Sequence, residues 1–343
     1  HLSIAVFSYC MIVISVLFFL IHFLTYLKNG YRLMKANEQT KAEFKKILVQ
    51  FLPCFFSVGI VEINHFINTA FCSYLQSGSL TLLRYTFQFV NIPVGIIAAS
   101  LVTVLLPHFS KLYLEKPQEV AQQLFEAIKF IVWTTLPLVF LMTFFSIEIF
   151  ATLFLGDAQA MSKVLLAQSI FLAYLVGLLF FSLNKVFLSI FYALRITKIP
   201  LLTTFIAIAI NYSLNRLLMV NYGAAGIAFS SSIAAMAQSF VFLFVLHYHL
   251  KLGRSSAEWF HFFIRYIVQF LVCCSFFWFL YVLLRSIVCS WSFDFNIYGF
   301  HLNQDFFVSS VGLWLWVGPL SLIFLASLYA TRRFFGIKLS YFD

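Results

Sequence analysis

Apolar positions in this chain do not alternate with polar ones. They run on for some twenty residues at a time, separated by short polar segments. A helix needs about 20 apolar residues to cross the hydrocarbon of a bilayer. Nine runs meet that length: 4–27, 48–75, 81–106, 128–150, 164–194, 199–220, 224–249, 260–284 and 309–330. The strands of a transmembrane β-barrel alternate in polarity residue by residue, so continuous runs predict helices. Pro53, Pro93, Pro137 and Pro319 fall within spans, which membrane helices tolerate where neighbours re-satisfy the backbone. The predicted fold class is all-α: a polytopic helical membrane protein with about nine transmembrane helices.

Composition agrees. Of 343 residues, 62% are hydrophobic and 10% charged, and the mean hydropathy is +0.96. One water-soluble core of this size cannot bury so much apolar surface, which excludes a soluble enzyme, a nucleic-acid-binding domain and a disordered chain. The net charge of +10 reads as topology. Segments 28–47, 107–127, 195–198, 250–259 and 331–343 carry 15 of the 22 Lys and Arg, while the intervening segments carry Lys163 and Arg285. Basic loops stay in the cytoplasm, so the C-terminus and the basic loop Lys28–Lys46 are expected there, and His1 outside. With no basic flank and no signal-peptide pattern at its start, the chain reads as the C-terminal part of a longer protein, lacking an odd number of earlier spans if the original N-terminus is cytoplasmic. Segment 107–127 is expected to form a short interfacial helix. The aromatic segment 285–308 is expected at the outer interface. The six cysteines show neither CxxC nor metal-ligand spacing, so no disulfide or metal site is expected.

Three stretches carry more specific information. INTAFCSYLQSGSLTLLRYTFQFVNIPVGIIAASLVTVLLPHFSKL runs from Ile67 to Leu112, AYLVGLLFFSLNKVFLSIFYALRITKIP from Ala173 to Pro200, and a Gly223–Ala228 turn follows. In order and spacing these resemble the signature words of the MurJ (MviN) lipid II flippase family, within the multidrug/oligosaccharidyl-lipid/polysaccharide exporter superfamily. The resemblance covers about residues 45–250 and carries through Asn68-Thr69, Ser73, Gly78-Ser79, Tyr85, Pro93, Gly95, Thr103, Leu105-Leu106-Pro107 and Ser110. It implies a fourteen-helix transporter with two six-helix lobes and two added helices. Residues 1–27 then match the last helix of a first lobe, 28–47 a basic cytoplasmic loop, 48–250 the second lobe, and 251–343 the added pair, which lines a lipid-tail groove in the family, with a cytoplasmic tail. The implied substrate is lipid II, an undecaprenyl-pyrophosphate-linked disaccharide peptide. The implied setting is peptidoglycan biosynthesis in the bacterial inner membrane, with membrane lipids and other cell-wall synthesis proteins as partners and no nucleic acid. One departure stands out: where the family carries A-D-R-x-x-E before its LP-x-G proline, this chain has Thr86, Phe87, Gln88 and Asn91.

A flippase needs a hydrated cavity and two states rather than covalent chemistry, and polar groups at mid-membrane are functional candidates. On the family match, Gln88 and Asn91 line the cavity, with Tyr85 beside them and Lys185 at the family's KV position. Arg84, one turn before Gln88, either replaces the lost charge or snorkels. Lys185 either guides a pyrophosphate or snorkels; for Lys129, Arg216 and Arg265, near span ends, snorkelling is the expectation. Glu62, His65 and Asn68 recur on one helical face near Asn64, and Asn68 is expected to line the substrate cavity. Glu62 is the acid nearest a span centre, and Asn211 and Asn215 lie four apart on another face. Glu62, Asn211 and Asn215 make a candidate sodium or proton site; interhelical amide packing is the competing reading. Pro93 and Gly95 are candidate hinge or packing elements. No cofactor motif is present: P-loop, GxGxxG, HExxH and GxSxG are absent. A related exporter of polysaccharide-linked lipids or cationic drugs, and a non-transporting cell-wall scaffold, stay open as alternatives.

Overall fold

The computed structural model describes residues 2–30, 37–154, 160–250, 256–290, 294–297, 300–303, 312–337 and 339. They divide into two units, His1–Leu52 and Pro53–Asp343. The first unit holds α1 (Leu2–Lys28) and the first part of α2 (Glu38–Cys72). Asn37 caps α2, its Oδ1 accepting from the Thr40 backbone N–H and hydroxyl, each at 2.8 Å. This cap starts the helix ten residues before its apolar run, inside the basic segment.

The second unit holds the rest of α2 and all that follows. α3 (Ser79–Pro93), a π-helical segment (Val94–Ala99) and α4 (Ser100–Glu115) form one continuous stretch. Pro93 has no N–H to donate, and the π turn follows directly. Hydroxyls take up the local carbonyls: Ser100 Oγ donates to Ile96 O and, at 3.1 Å, to Ile97 O. Thr103 Oγ1 donates to Ser100 O at 2.6 Å. The chain then breaks at Lys116, with φ −145° and ψ 69°, before a short 3₁₀ turn at Pro117–Glu119 and α5 (Val120–Phe144). The separate interfacial helix expected at 107–127 is therefore not formed. The segment is the end of one long helix, a corner and the start of the next, because Pro107 is accommodated within α4 and the chain turns only at Lys116. The span expected at 128–150 is also divided. Phe145 leaves helical geometry (φ −99°, ψ 20°), and a short α6 (Ser146–Leu153) follows.

α7 (Ala160–Ala193) is the central element, packing against α3, α4, α5, α6 and the helices after it. Its buried positions, among them Val164, Ala167, Phe171, Leu175, Leu178, Ser182, Val186 and Ile190, recur every three or four residues, as a helix stripe facing protein requires. The helical run Lys198–Leu250 is two helices, because Gly223 (φ 56°, ψ −133°) turns the chain between them. We denote 198–222 as α8 and 224–250 as α9. Contacts at 218/226, 211/231 and 204/238 place them side by side in opposite directions. Without water to expel from between helices, membrane packing relies on small residues and close approach. Gly177 of α7 lies against Ser232 of α9, whose hydroxyl donates to Ala173 O at 2.7 Å.

α10 (Ser256–Ser290) and α11 (Trp314–Thr331) pack together and onto α5. Rings of Phe140, Phe277 and Phe324 meet at 5.2–5.7 Å between centroids. Gln269 Nε2 donates to Leu328 O at 2.6 Å and Thr331 Oγ1 at 2.9 Å. Lys129 does not snorkel. It is buried, paired with Glu126 and seated 4.6 Å over the Phe125 ring, an arrangement favoured where a neighbouring carboxylate and aromatic face replace water. Part of the segment 285–308 forms a two-stranded antiparallel ribbon, β1 (Asp294–Ile297) with β2 (Phe300–Asn303), in register Asp294 to Asn303.

Seven helical stretches among the described residues are long and apolar enough to cross a membrane. One of them, Lys198–Leu250, is the α8–α9 pair, and α2 lies over the remaining expected span. The protein is a multi-pass helical membrane protein with one short β-ribbon among its described residues.

Candidate functional site

Asn64 and Asn68 lie one turn apart on α2, and Asn211 and Asn215 one turn apart on α8. A spacing of four sets each pair on one face, and the structure brings the two faces together. Asn211 Nδ2 donates to Asn64 Oδ1 at 2.6 Å and to Asn68 Oδ1 at 2.8 Å. Asn215 Nδ2 donates to the same Asn68 oxygen at 2.8 Å, and Asn68 Nδ2 donates to Ser231 Oγ of α9 at 2.9 Å. Asn211 and Asn215 are wholly buried and Asn68 nearly so. Neutral amides suit such a place because each both donates and accepts. One group stays unmatched among the described residues: Asn215 Oδ1 is buried with no hydrogen-bond partner there. Of the candidate ion-site residues, Asn211 and Asn215 thus meet each other through Asn68. The side chain of Glu62 lies outside the described residues.

Beside this cluster lies a cavity of about 370 Å³. Asn64, His65 and Asn68 of α2 form one wall, and Phe87, Asn91 and Val94 of α3 and the π segment another. α7 contributes Phe181, Asn184, Lys185 and Leu188, and the α8–α9 pair closes it with Thr204, Ser231, Gln238 and Phe242. A second amide ladder braces the far side. Asn184 Nδ2 donates to Ala235 O at 3.0 Å and to Gln238 Oε1 at 3.3 Å, while its oxygen accepts from Ser239 Oγ at 2.7 Å. Gln238 Nε2 donates to Thr204 Oγ1 at 3.2 Å. Such bracing fixes side chains in place before a ligand arrives.

The cavity collects three of the six residues expected to contact substrate: Asn68, Asn91 and Lys185. Arg84, Tyr85 and Gln88 lie on the exposed side of α3 and do not line it. Arg84, Gln88 and Asn91 share one helical stripe, which passes from exposed at Arg84 and Gln88 to half-buried at Asn91. Pro93 is buried at the end of α3; Gly95 sits exposed in the π segment with nothing near its Cα face within 4 Å. Arg216 is exposed, and Arg265 is exposed with Nη1 3.4 Å from Gly336 O. Sequence reasoning missed Asn184, Thr204, Ser231 and Gln238. Their signal was the placing of polar side chains in the middle of apolar runs, next to Lys185 in one case and in the Ser230–Ser232 run in another.

The family described as "Lipid II flippase MurJ" matches residues 1–298. A probable lipid II flippase MurJ of Rickettsia prowazekii is 32% identical over 194 residues, 56% of this chain and 38% of that protein. One from Helicobacter pylori strain J99 is 31% identical over 224 residues, 64% of this chain and 46% of that protein. One from Bdellovibrio bacteriovorus is 26% identical over 208 residues, 60% and 39% of the respective chains. The chain thus spans less than half the length of these relatives. A solved structure titled "Lipid II flippase MurJ, inward closed conformation" is similar in fold, with a TM-score of 0.56 at 23% identity. The match covers 86% of this chain and 57% of that one. Over most of its length, from α1 into the ribbon after α10, this chain belongs to the MurJ family.

Proposed function

We propose that this chain takes part in moving a lipid-linked peptidoglycan precursor, lipid II, across the bacterial inner membrane. The observation that carries this is the polar cavity between α2, α3, α7, α8 and α9, set in a chain of the MurJ family. A headgroup crossing a membrane needs hydrogen-bonding partners that replace water, while its polyprenyl tail stays in lipid. Amides on rigid helices supply such partners without adding a charge to the hydrocarbon. Transport proceeds by alternating access, two states exposing the cavity to opposite sides. No covalent bond is made or broken, so the protein acts as a transporter and not as an enzyme. Gln88 and Arg84, on the exposed stripe leading to Asn91, meet the headgroup on its way to the cavity. Lys185 guides the diphosphate as a point charge while the headgroup enters. Loading is from the cytoplasm, with the C-terminus on that side. A sodium ion or a proton couples at Glu62, Asn211 and Asn215, where the buried Asn215 Oδ1 has no hydrogen-bond partner among the described residues.

The test is rescue. The full protein is expressed in a bacterium depleted of its own lipid II flippase, alongside Gln88→Leu, Glu62→Gln and Lys185→Met. Growth and normal shape are expected with the parent and a loss of at least about tenfold in plating efficiency with the variants. A well-expressed, inserted parent that fails to rescue sinks the flippase reading. Full rescue by all three variants sinks the site.

A further inference from the structure

We propose that the cavity between α2, α3, α7, α8 and α9 is a subsite for a neutral acetamido sugar, taking the carbohydrate of the lipid-linked headgroup and not its diphosphate. This rests on the flippase reading above and adds the division of labour within it. The lining supplies the argument. Among the described residues its ionisable side chains are Lys185 and His65, and no carboxylate or arginine is among these. A diphosphate diester carries two negative charges, and the forked guanidinium that best matches phosphate oxygens is missing. Five carboxamides line the same space: Asn64, Asn68, Asn91, Asn184 and Gln238. A carboxamide donates and accepts at once, and so do the acetamido group and the hydroxyls of an N-acetylhexosamine.

Four further observations fit that ligand. Asn68, Asn184 and Gln238 are held by their own hydrogen bonds, so binding a sugar does not require ordering them first. Ligand-facing capacity is left over: among the described residues the Asn91 amide makes no hydrogen bond, and Asn64 uses only its oxygen. The rings of Phe87, Phe181 and Phe242 share the cavity with these amides, offering apolar faces to the C–H face of a sugar and to an acetyl methyl group. The volume of about 370 Å³ is at the small end for ligand sites, which suits one or two sugar rings and leaves no room for the peptide or the lipid.

The experiment is saturation-transfer-difference NMR on the purified full protein in detergent, a method that reads weak sugar binding. The probes are N,N′-diacetylchitobiose, cellobiose, which lacks the acetamido groups, and inorganic pyrophosphate as competitor. The expected result is saturation of the chitobiose acetyl methyls and at least about threefold less for cellobiose. Asn91→Leu, which breaks no internal hydrogen bond, and Gln238→Leu each lower the chitobiose signal by about threefold or more, while Asn91→Gln and the distant Lys111→Met keep it. Three results overturn the proposal: equal signals from the two sugars, a chitobiose signal absent or unchanged in Asn91→Leu, or suppression of that signal by equimolar pyrophosphate. A protein that rescues growth but fails these tests loses the sugar subsite alone. One that binds chitobiose but does not rescue loses the flippase reading.

Discussion

Single asparagines carry unequal shares of the α2–α8 cluster. Asn211 donates to two oxygens, whereas Asn215 donates to one and keeps a buried oxygen that nothing among the described residues matches. An interhelical hydrogen bond in a membrane protein is worth about 0.6 kcal/mol and at most about 1.7. Asn211→Leu should therefore cost about 1–3 kcal/mol in thermal or denaturant unfolding in micelles. Asn215→Leu should cost less, since it also removes the unmatched oxygen. Equal or reversed losses would mean that the hydrogen-bond assignment is wrong. The spacing of four made Asn211 and Asn215 legible in the sequence as a polar stripe, while Asn68 was legible on a face with Glu62 and His65. That the two stripes face each other was not legible, because it depends on how α8 packs against α2. Asn184 and Gln238 were less visible still, as isolated amides in apolar runs 54 residues apart that meet only when α7 and α9 pack.

At the scale of elements, the helices follow from apolar run length, and what the pattern misses are the places where backbone geometry changes within a run. The π turn after Pro93 leaves no mark in hydropathy, and neither does the break at Phe145. Two glycines, Gly226 at the start of α9 and Gly95 in the π segment, behave differently. A Cβ on Gly226 would lie 2.4 Å from Leu218 O and 2.6 Å from its carbonyl carbon, backbone atoms that cannot swing aside. Gly226→Ala should prise α8 from α9 and destabilise by about 1–3 kcal/mol, read as a lower unfolding midpoint. Gly95 has open space around it. Gly95→Ala should leave the unfolding midpoint unchanged or raise it, by up to about 1 kcal/mol from helix propensity, while slowing rescue of a flippase-depleted strain. That pairing of results would assign Gly95 to bending; a stability loss instead would assign it to packing.

For the whole molecule, charge distribution predicts more than apolar content does. Apolar runs decide that the chain crosses a membrane many times, and the basic segments decide which way. A fluorescent protein fused after Asp343 should be bright and a periplasmic phosphatase fused there inactive. The reverse pattern would invert the assigned orientation and the direction of loading. The corner at Lys116 has a practical meaning of its own. The helical stretch Ser79–Glu115 is 37 residues long, about 55 Å at 1.5 Å per residue, against a hydrocarbon slab of about 30 Å. With the rod upright, about 25 Å of it stands clear of the hydrocarbon, shared between its two ends. The α4 end carries exposed Leu114 and leads to a surface Lys116–Glu119 ion pair. A rigid helical protein grafted in frame at that corner would extend the rod into water. It would give a small membrane protein, otherwise hidden in its micelle, a landmark for aligning single-particle images.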